Sequence, residues 1–177
     1  AASRATNHQP PATSHPDWEN PEWCIAKLRE HLERIGSPGE VEATLPGCWR
    51  VRYRLPETPP MISIVVPTRD AVALLRQCVE SVLEKSTYPR FEILVVDNQS
   101  SDPETLAYFE TISANPAVRV LRYDQPFNYS AINNFAAREA KGEVLCLLNN
   151  DTQVISPDWL EEMMGQLLQE GVGAVGA

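Results

Sequence analysis

The sequence has no long apolar run and no paired cysteines. Within its 177 residues, no stretch approaches the roughly 18 apolar residues of a membrane-spanning helix, and no basic-then-apolar signal peptide opens the chain. The four cysteines form no CxxC pair and have no His at zinc-ligand spacing; they are Cys24, Cys48, Cys78 and Cys146. These absences argue against a membrane-spanning or zinc-binding protein. They predict free thiols and a reducing, cytoplasmic location.

Positive charge is also scarce. Fifteen Lys and Arg residues stand against 24 Asp and Glu residues, so the formal net charge is −9 at pH 7. An acidic field repels polyanions unless a basic patch or a metal ion intervenes, and nucleic acid is therefore not an expected partner. The content of hydrophobic residues, 43%, and of charged residues, 22%, is typical of a globular protein with a sizeable core.

Residues 1–57 are predicted to form a small N-terminal extension. Residues 1–21 are rich in Pro, His, Ser, Thr and Asn and lack a periodic apolar face, which predicts a linker. The apolar spacing over Glu22–Ile35 predicts an amphipathic helix. Cys48–Leu55 alternates apolar residues with arginine, as an edge strand or hairpin arm does. The prolines that follow mark the boundary to a second part, residues 58–177.

Strands and helices alternate in this second part. Apolar runs predict strands at Ile62–Val66, Phe91–Val96, Val118–Tyr123, Val144–Leu148 and Val172–Val175. Helices are predicted around Leu75–Leu83, from a cap at Asp102 to Ser113, from a cap at Ser130 to Gly142, and from Ser156-Pro157-Asp158 to Gly171. Nearly continuous apolar strands between helices predict an α/β fold, with a mostly parallel sheet that helices bury on both faces.

Function is expected at the carboxyl ends of these strands, because open parallel sheets bind ligands there. The informative strand ends are Pro67–Asp70, Asp97–Asp102 and Asn149–Asp151. No GxGxxG follows the first strand and no GxxxxGK[ST] occurs, which excludes a dinucleotide cradle and a P-loop. Carboxylates at strand ends suit a hard divalent cation that also binds substrate phosphates. A metal-bridged diphosphate is therefore the expected ligand.

Four segments resemble motifs of glycosyltransferase family 2. The family's opening strand, second motif, Asn-containing helix and DXD metal motif are similar, in this order, to Ile62–Asp70, Leu94–Asp102, Asn128–Gly142 and Leu147–Asp151. Asn134 lies at the expected distance from Gly142, and Asn149 replaces the first Asp of DXD. The resemblance covers about residues 60–177 and implies the nucleotide-sugar-binding half of a GT-A fold, a Rossmann-like sheet truncated at its C-terminus.

The resemblance implies an inverting, metal-dependent transferase that moves a sugar from a UDP- or dTDP-type donor to a glycan acceptor, expected to be a bacterial surface polysaccharide. Nucleotide binding is implied for Pro67, Thr68, Asp70, Asp97, Asn98, Asn134 and Asn150. Asp151 and Asn149 are the implied ligands of Mg²⁺ or Mn²⁺, which would stabilise the leaving diphosphate.

The catalytic base of such an enzyme is expected after the fifth strand, beyond residue 177. We therefore expect these residues alone to bind nucleotide weakly and not to transfer sugar. No membrane-spanning segment is predicted, and peripheral membrane association of the parent protein stays open.

Two other functions compete with this interpretation. A nucleotide-sugar-binding module without catalysis is favoured by the neutral Asn149 and by the lack of an assignable base. A Mg²⁺-dependent phosphotransfer or receiver-type α/β domain would need paired carboxylates after the first strand, where only Asp70 occurs beside Arg69. Several of the polar residues also have simple structural explanations, since Asp70 and Asp102 stand at helix-cap positions and Asp97 precedes a turn.

Overall fold

The computed structural model describes residues 20–176. They divide into two compact units, of which the first ends at Arg54 and the second begins at Leu55. The linker predicted over residues 1–21 lies almost entirely outside the described residues. Within residues 20–176, none of the helices combines the length and the apolar character needed to cross a membrane.

The first unit is a helix followed by a hairpin. Helix α1 spans Pro21–Arg34, and strands β1 (Gly39–Ala43) and β2 (Trp49–Tyr53) pair antiparallel. The side chain of Asn20 begins the helix, because its Oδ1 accepts hydrogen bonds from two backbone N–H groups of the first turn. The helix and the hairpin arm predicted from the sequence are confirmed. Strand β1 was not predicted, since its only buried residue is Val41 and its alternation is too short to stand out.

The second unit contains four strands and four helices. In chain order they are β3 (Ile62–Thr68), α2 (Val72–Lys85), β4 (Phe91–Asp97), α3 (Pro103–Ile112), β5 (Val118–Arg122), α4 (Tyr129–Glu139), β6 (Val144–Leu147) and α5 (Trp159–Leu167). All strand pairs are parallel, and the order across the sheet is β5-β4-β3-β6. The carboxyl ends of the strands therefore meet at one edge.

Helices cover both faces of this sheet, as the sequence predicted. On one face the core contains residues of β3 and β4 together with α2, α3 and α5, among them Leu75, Phe109 and Leu160. On the other face α4 contributes Ile132 and Ala136 to a smaller core. The central strands β3 and β4 are buried over most of their length because both cores pack against them.

The sheet differs from the prediction at its β6 edge. No strand forms at Val172–Val175 in the described residues, since no neighbouring strand pairs with that segment. Strand β6 is consequently the edge of the sheet. One of its faces is also poorly covered, since Leu145 is 43% exposed and Leu147 is 51% exposed. Helix α4 packs over β3 and β4 instead, and within residues 20–176 the face of β6 that carries Leu145 and Leu147 stays largely exposed.

Two predicted helix starts were wrong. Helix α4 is capped by Asn128 rather than Ser130, because Asn128 Oδ1 accepts a hydrogen bond from Ala131 N at 3.0 Å. Helix α5 begins at Trp159, and the turn that holds Ser156 precedes it without a side-chain cap. The cap at Asp102 is confirmed, with Oδ2 accepting from Thr105 N at 2.8 Å. Both helices also end before the predicted glycines, α4 at Glu139 and α5 at Leu167.

Candidate functional site

Thr68 joins the polar loops at the carboxyl edge of the sheet. Because β3 lies between β4 and β6, its last residue can reach both neighbouring loops. The Thr68 carbonyl accepts a hydrogen bond from Asn98 N at 2.8 Å. Its Oγ1 accepts one from Asn150 Nδ2 at 3.0 Å. The three strand ends singled out in the sequence are thus hydrogen-bonded to one another through Thr68.

Asp70 ties the loop after β3 to the loop after β4. Its Oδ1 accepts hydrogen bonds from Ser101 N at 2.8 Å and from Asp102 N at 2.9 Å. Its own N–H donates to Ser100 Oγ at 2.7 Å. The hydrogen bond from Asp102, followed by that from Ser101, lowers the pKa of Asp70 below its ordinary value. The side chain is therefore an ionised carboxylate at neutral pH, and its Oδ2 accepts no hydrogen bond from residues 20–176.

Asp97 is a buried carboxylate at the end of β4, and its residue is only 2% exposed. Its Oδ1 accepts a hydrogen bond from Ser100 N at 2.8 Å. Its Oδ2 accepts one from Arg122 Nη1 at 2.5 Å. Both oxygens thus contact protein donors, and the side chain is directed toward the β5 side of the sheet. No hydrogen bond or ion pair within residues 20–176 joins it to Asp151.

Asn98 carries an unsatisfied acceptor beside this loop. Its Nδ2 donates to the carbonyl oxygens of Tyr123 at 3.2 Å and Gln125 at 2.8 Å, which fixes the segment after β5. The residue is 2% exposed, and its Oδ1 is buried without a hydrogen-bond partner. A buried polar atom without a partner costs about 1–3 kcal/mol. A ligand that donates a hydrogen bond to Oδ1 would recover that energy.

The segment after β6 presents an open carboxylate. Asp151 is exposed, and its side chain makes no hydrogen bond or ion pair with the described residues. The side chain of Asn149 is exposed as well, while its backbone carbonyl accepts a hydrogen bond from Thr152 Oγ1 at 2.8 Å. No group of three His, Cys, Asp or Glu residues between 20 and 176 could hold a metal ion. This donor set fits a hard cation whose remaining ligands come from substrate phosphates, and does not fit a metal ion held by protein alone.

Helix α4 places its two adjacent asparagines differently. Asn134, which the sequence analysis singled out, is exposed. Asn133 is 8% exposed; its Nδ2 donates to Tyr129 O at 2.9 Å, and its Oδ1 is buried without a partner. The structure therefore adds Asn133 as a polar group of this region. Helical periodicity could have indicated it, because Ile132 and Ala136 mark the buried face.

Arg122 is the other residue that the sequence analysis missed. It ends β5 and pairs in register with Asp97 at the end of β4. A sequence signal for this pair exists: predicted neighbouring strands that end in residues of opposite charge can form an ion pair there. Its position beside Asp97 became evident only once the order of the strands was known.

Backbone strain is concentrated in the same loops. The non-glycine residues with left-handed backbone among residues 20–176 are Asp70 and Ala71, each with φ of 53°, and Gln99, with φ of 63°. Each such residue costs on the order of 1–3 kcal/mol, and strain of this kind clusters at functional sites. The strain thus supports the carboxyl edge, and in particular the ends of β3 and β4, as the functional region.

Comparison with known sequences identifies the family of the chain. The model of glycosyl transferase family 2 matches residues 63–177. The O-antigen biosynthesis protein RfbC of Myxococcus xanthus is 47% identical over 152 residues, which are 86% of this chain and 12% of RfbC. Glycosyltransferase GlyG of Streptococcus pneumoniae is 28% identical over 115 residues, 65% of this chain and 38% of GlyG. The chain thus spans well under half the length of these relatives.

Solved structures agree on the fold. Mannosyltransferase PcManGT from Pyrobaculum calidifontis, in complex with GDP-Man and Mn²⁺, superposes with a TM-score of 0.59 at 20% identity, covering 86% of this chain and 42% of that one. Residues 1–349 of TarS from Staphylococcus aureus superpose with a TM-score of 0.53 at 24% identity, covering 60% of this chain and 32% of that one. The GT-A fold expected from the four sequence motifs is confirmed. On the family match and the fold together, this chain belongs to glycosyl transferase family 2.

Proposed function

We propose that this chain is the donor-binding half of an inverting, metal-dependent glycosyltransferase that acts in bacterial surface polysaccharide synthesis. The observation that carries the proposal is the hydrogen-bonded junction at Thr68, which joins the β3, β4 and β6 loops. We assign the nucleoside to the β3 and β4 loops and the cation to the β6 loop. The similar protein RfbC of Myxococcus xanthus is named for O-antigen biosynthesis, and this name supports a surface polysaccharide as the product of the proposed enzyme.

The nucleoside is proposed to lie over the ends of β3 and β4. Asn98 and Asp70 are proposed to contact the base and ribose. No residue between 20 and 176 donates to the buried Asn98 Oδ1 or to Asp70 Oδ2, and both oxygens suit N–H or O–H groups. Pro67 and Thr68 form the floor between the two loops, and Asn134 is proposed to contact the nucleotide from α4. Asp97 is proposed to contribute to the same site indirectly, because its carboxylate accepts a hydrogen bond from Ser100 N in the loop after β4.

The diphosphate is proposed to lie at the β6 loop. Asp151 would contribute the carboxylate ligand of Mg²⁺ or Mn²⁺, and Asn149 a neutral amide oxygen. Asn150, whose Nδ2 donates a hydrogen bond to Thr68, is proposed to contact the nucleotide. When bound, the cation would neutralise the charge that develops on the leaving diphosphate. Because Asn149 carries no charge, the protein alone holds the cation weakly, and phosphate oxygens complete its ligands.

No residue in the described part of the chain is proposed as the catalytic base. The chain spans a small part of RfbC and of GlyG, and the acceptor site and the base are proposed to lie in the part of the enzyme outside residues 1–177. The 177 residues alone are therefore expected to bind donor weakly without transferring sugar. Cys48, Cys78 and Cys146 are free thiols, which agrees with a cytoplasmic location.

Calorimetric titration of UDP, dTDP and GDP, each with and without Mn²⁺, tests this proposal. We expect one nucleotide to bind about tenfold more tightly with Mn²⁺, a gain of about 1.4 kcal/mol. Asp151→Asn should abolish that gain, whereas the matched control Glu110→Gln, an exposed carboxylate on α3, should keep it. Metal-dependent tightening that survives in Asp151→Asn would show that the cation site is misassigned.

A binding module without catalysis is the second candidate, because Asn149 weakens the metal site. It predicts nucleotide binding that Mn²⁺ leaves unchanged, in the isolated chain and in the longer parent protein alike. A labelled-donor assay on the parent protein separates the two candidates, since only the transferase forms product. The receiver-type alternative has no support in the structure, because the Asp70 carboxylate is tied to the β4 loop and no second carboxylate follows β3.

A further inference from the structure

The loop Asn98–Asp102, here called the anchor loop, follows β4 at the center of the proposed nucleotide site. Its three successive backbone N–H groups all donate to protein carboxylates: Ser100 N to Asp97, and Ser101 N and Asp102 N to Asp70. Gln99 in the same loop has left-handed backbone. Because its backbone is strained and is hydrogen-bonded to Asp70 and Asp97, the anchor loop depends on these two side chains for its conformation.

Arg122 connects one of these carboxylates to the loop from the opposite side. Its Nη1 donates to Asp97 Oδ2 at 2.5 Å and to the carbonyl oxygen of Ser100 at 3.3 Å. Its Nε donates to Asp124 Oδ1 at 2.6 Å. One guanidinium therefore contacts Asp97, the backbone of the anchor loop and an exposed carboxylate of the segment after β5.

These contacts close a ring of three groups. Asp97 accepts from Ser100 N and from Arg122, while Arg122 also donates to Ser100 O. The Asp97 side chain is 3% exposed, and within residues 20–176 it forms an ion pair with Arg122 alone, so removing Arg122 would leave a buried carboxylate unpaired. Burying an unpaired carboxylate is costly, and the loop would rearrange to bring water to it.

We propose that Arg122 is a positioning residue of the nucleotide site: by holding Asp97 and Ser100 together, it keeps the anchor loop in the shape that the nucleoside contacts. This inference rests on the proposed function. Asp97 then acts through the loop, since both of its oxygens already accept protein hydrogen bonds. The guanidinium suits the task because its rigid plane lets Nη1 donate to Asp97 and to Ser100 O in a fixed geometry, whereas the lysine ammonium is a point charge on a flexible chain.

The test compares Arg122→Gln, Arg122→Lys, Asp97→Asn and the control Asp124→Asn in the full 177-residue chain. Asp124 contacts Arg122 but neither Asp97 nor the anchor loop, so its variant alters the pair without touching the ring. Amide hydrogen exchange is read at Ser100 and Ser101, with Val65 and Val95 in the buried strands as internal references. Affinity for the nucleotide found best in the calorimetric series is measured on the same samples.

In Arg122→Gln we expect the protection of the Ser100 and Ser101 amides against hydrogen exchange to fall about tenfold or more. Nucleotide affinity should fall by a similar factor. The protection of the Val65 and Val95 amides should not change. Arg122→Lys should restore part of both, and Asp124→Asn should stay within about twofold of the original chain. In the double variant Asp97→Asn with Arg122→Gln, the losses should be smaller than the sum of the single losses.

Unchanged protection and affinity in Arg122→Gln would overturn the proposal. A loss of protection that is equal at Val65 and Val95 would overturn it too, because Arg122 would then stabilise the whole fold and not the loop. Failure of the original chain to bind any nucleotide would instead overturn the proposed function. The exchange data would in that case still decide whether Arg122 orders the anchor loop.

Discussion

Replacing Glu92 with Gln should destabilise the second unit more than any change at the surface. Glu92 lies near the beginning of β4 and is 4% exposed. Its Oε1 accepts hydrogen bonds from Ser63 Oγ and from Lys141 N, both at 2.7 Å, and its Oε2 accepts one from Arg119 Nη1 at 3.2 Å. This one carboxylate therefore joins β3, β5 and the turn before β6.

The size of the effect follows from these three bonds. Gln has nearly the shape of Glu, so no cavity forms, but its NH₂ group must replace one of the accepting oxygens and then faces a donor. Hydrogen bonds to charged groups contribute about 1.5–3 kcal/mol each. Arg119 is partly exposed, with 29% of its side chain accessible, so solvent screening reduces the contribution of its ion pair with Glu92 to stability. We expect Glu92→Gln to lower the free energy of unfolding by about 2–4 kcal/mol at pH 7, a large part of the 5–15 kcal/mol typical of a domain.

The pH dependence gives an independent check. Burial by itself raises the pKa of Glu92, but hydrogen bonds from Lys141 N, Ser63 and Arg119 outweigh it, and the net pKa lies below the ordinary value of 4.5. Because the folded pKa is lower than the unfolded one, the contribution of the ionised group is fully present above the unfolded pKa. It is lost as the pH falls through the folded pKa. The stability difference between Glu and Gln at position 92 should therefore be constant near neutral pH and shrink below about pH 4.5.

Urea denaturation between pH 7 and pH 3.5, followed by circular dichroism, measures this difference. Glu110→Gln serves as the control, because Glu110 is exposed on α3 and should shift the unfolding midpoint very little. Our reasoning is refuted if Glu92→Gln is as stable as the original chain at pH 7, or if the difference grows on acidification.

Two further changes test the packing and the strain of the same unit. A Cβ at Gly142 would lie 2.5 Å from Ser63 N and 2.7 Å from Met61 O, so Gly142→Ala should lower the free energy of unfolding by about 2 kcal/mol or more, measured by urea denaturation. Gly173→Ala is its control, since a Cβ there meets nothing within 4 Å, and equal effects of the two would contradict the close approach. Ala71 has φ of 53°, and Ala71→Gly should raise the thermal midpoint by relieving about 1 kcal/mol of strain. A lower midpoint would show that Ala71 is not strained.

Much of the fold could be predicted because its signals are local. The apolar runs of β3 and β4 and the helical spacing of α2 are properties of a few neighbouring residues, and the structure confirms these elements. The error at Val172–Val175 has a physical cause, since a strand exists only where another strand pairs with it. The error at Ser130 is of a different kind, because two residues near the start of α4 can cap a helix and Asn128 is the one that does.

The candidate site divides in the same way. That Thr68, Asp97 and Asn150 stand at strand ends follows from the sequence pattern, and parallel strands place such residues at one edge. The pattern does not tell which side chain bonds to which. Asp97 finds its partner Arg122 at the end of the neighbouring strand, 25 residues along the chain, so that pair depends on the order of the strands.

By itself, the sequence determined the family, the alternation of strands and helices, and the edge of the sheet where the polar loops lie. Each of these depends on motifs and apolar patterns that are formed by residues close together along the chain. Only the tertiary structure decided which polar groups are satisfied within the protein, as at Asp97 and Glu92, and which remain open, as at Asn98 Oδ1. The reason is that a buried polar atom takes its partner from whatever segment folding brings beside it, and those segments are distant in the chain.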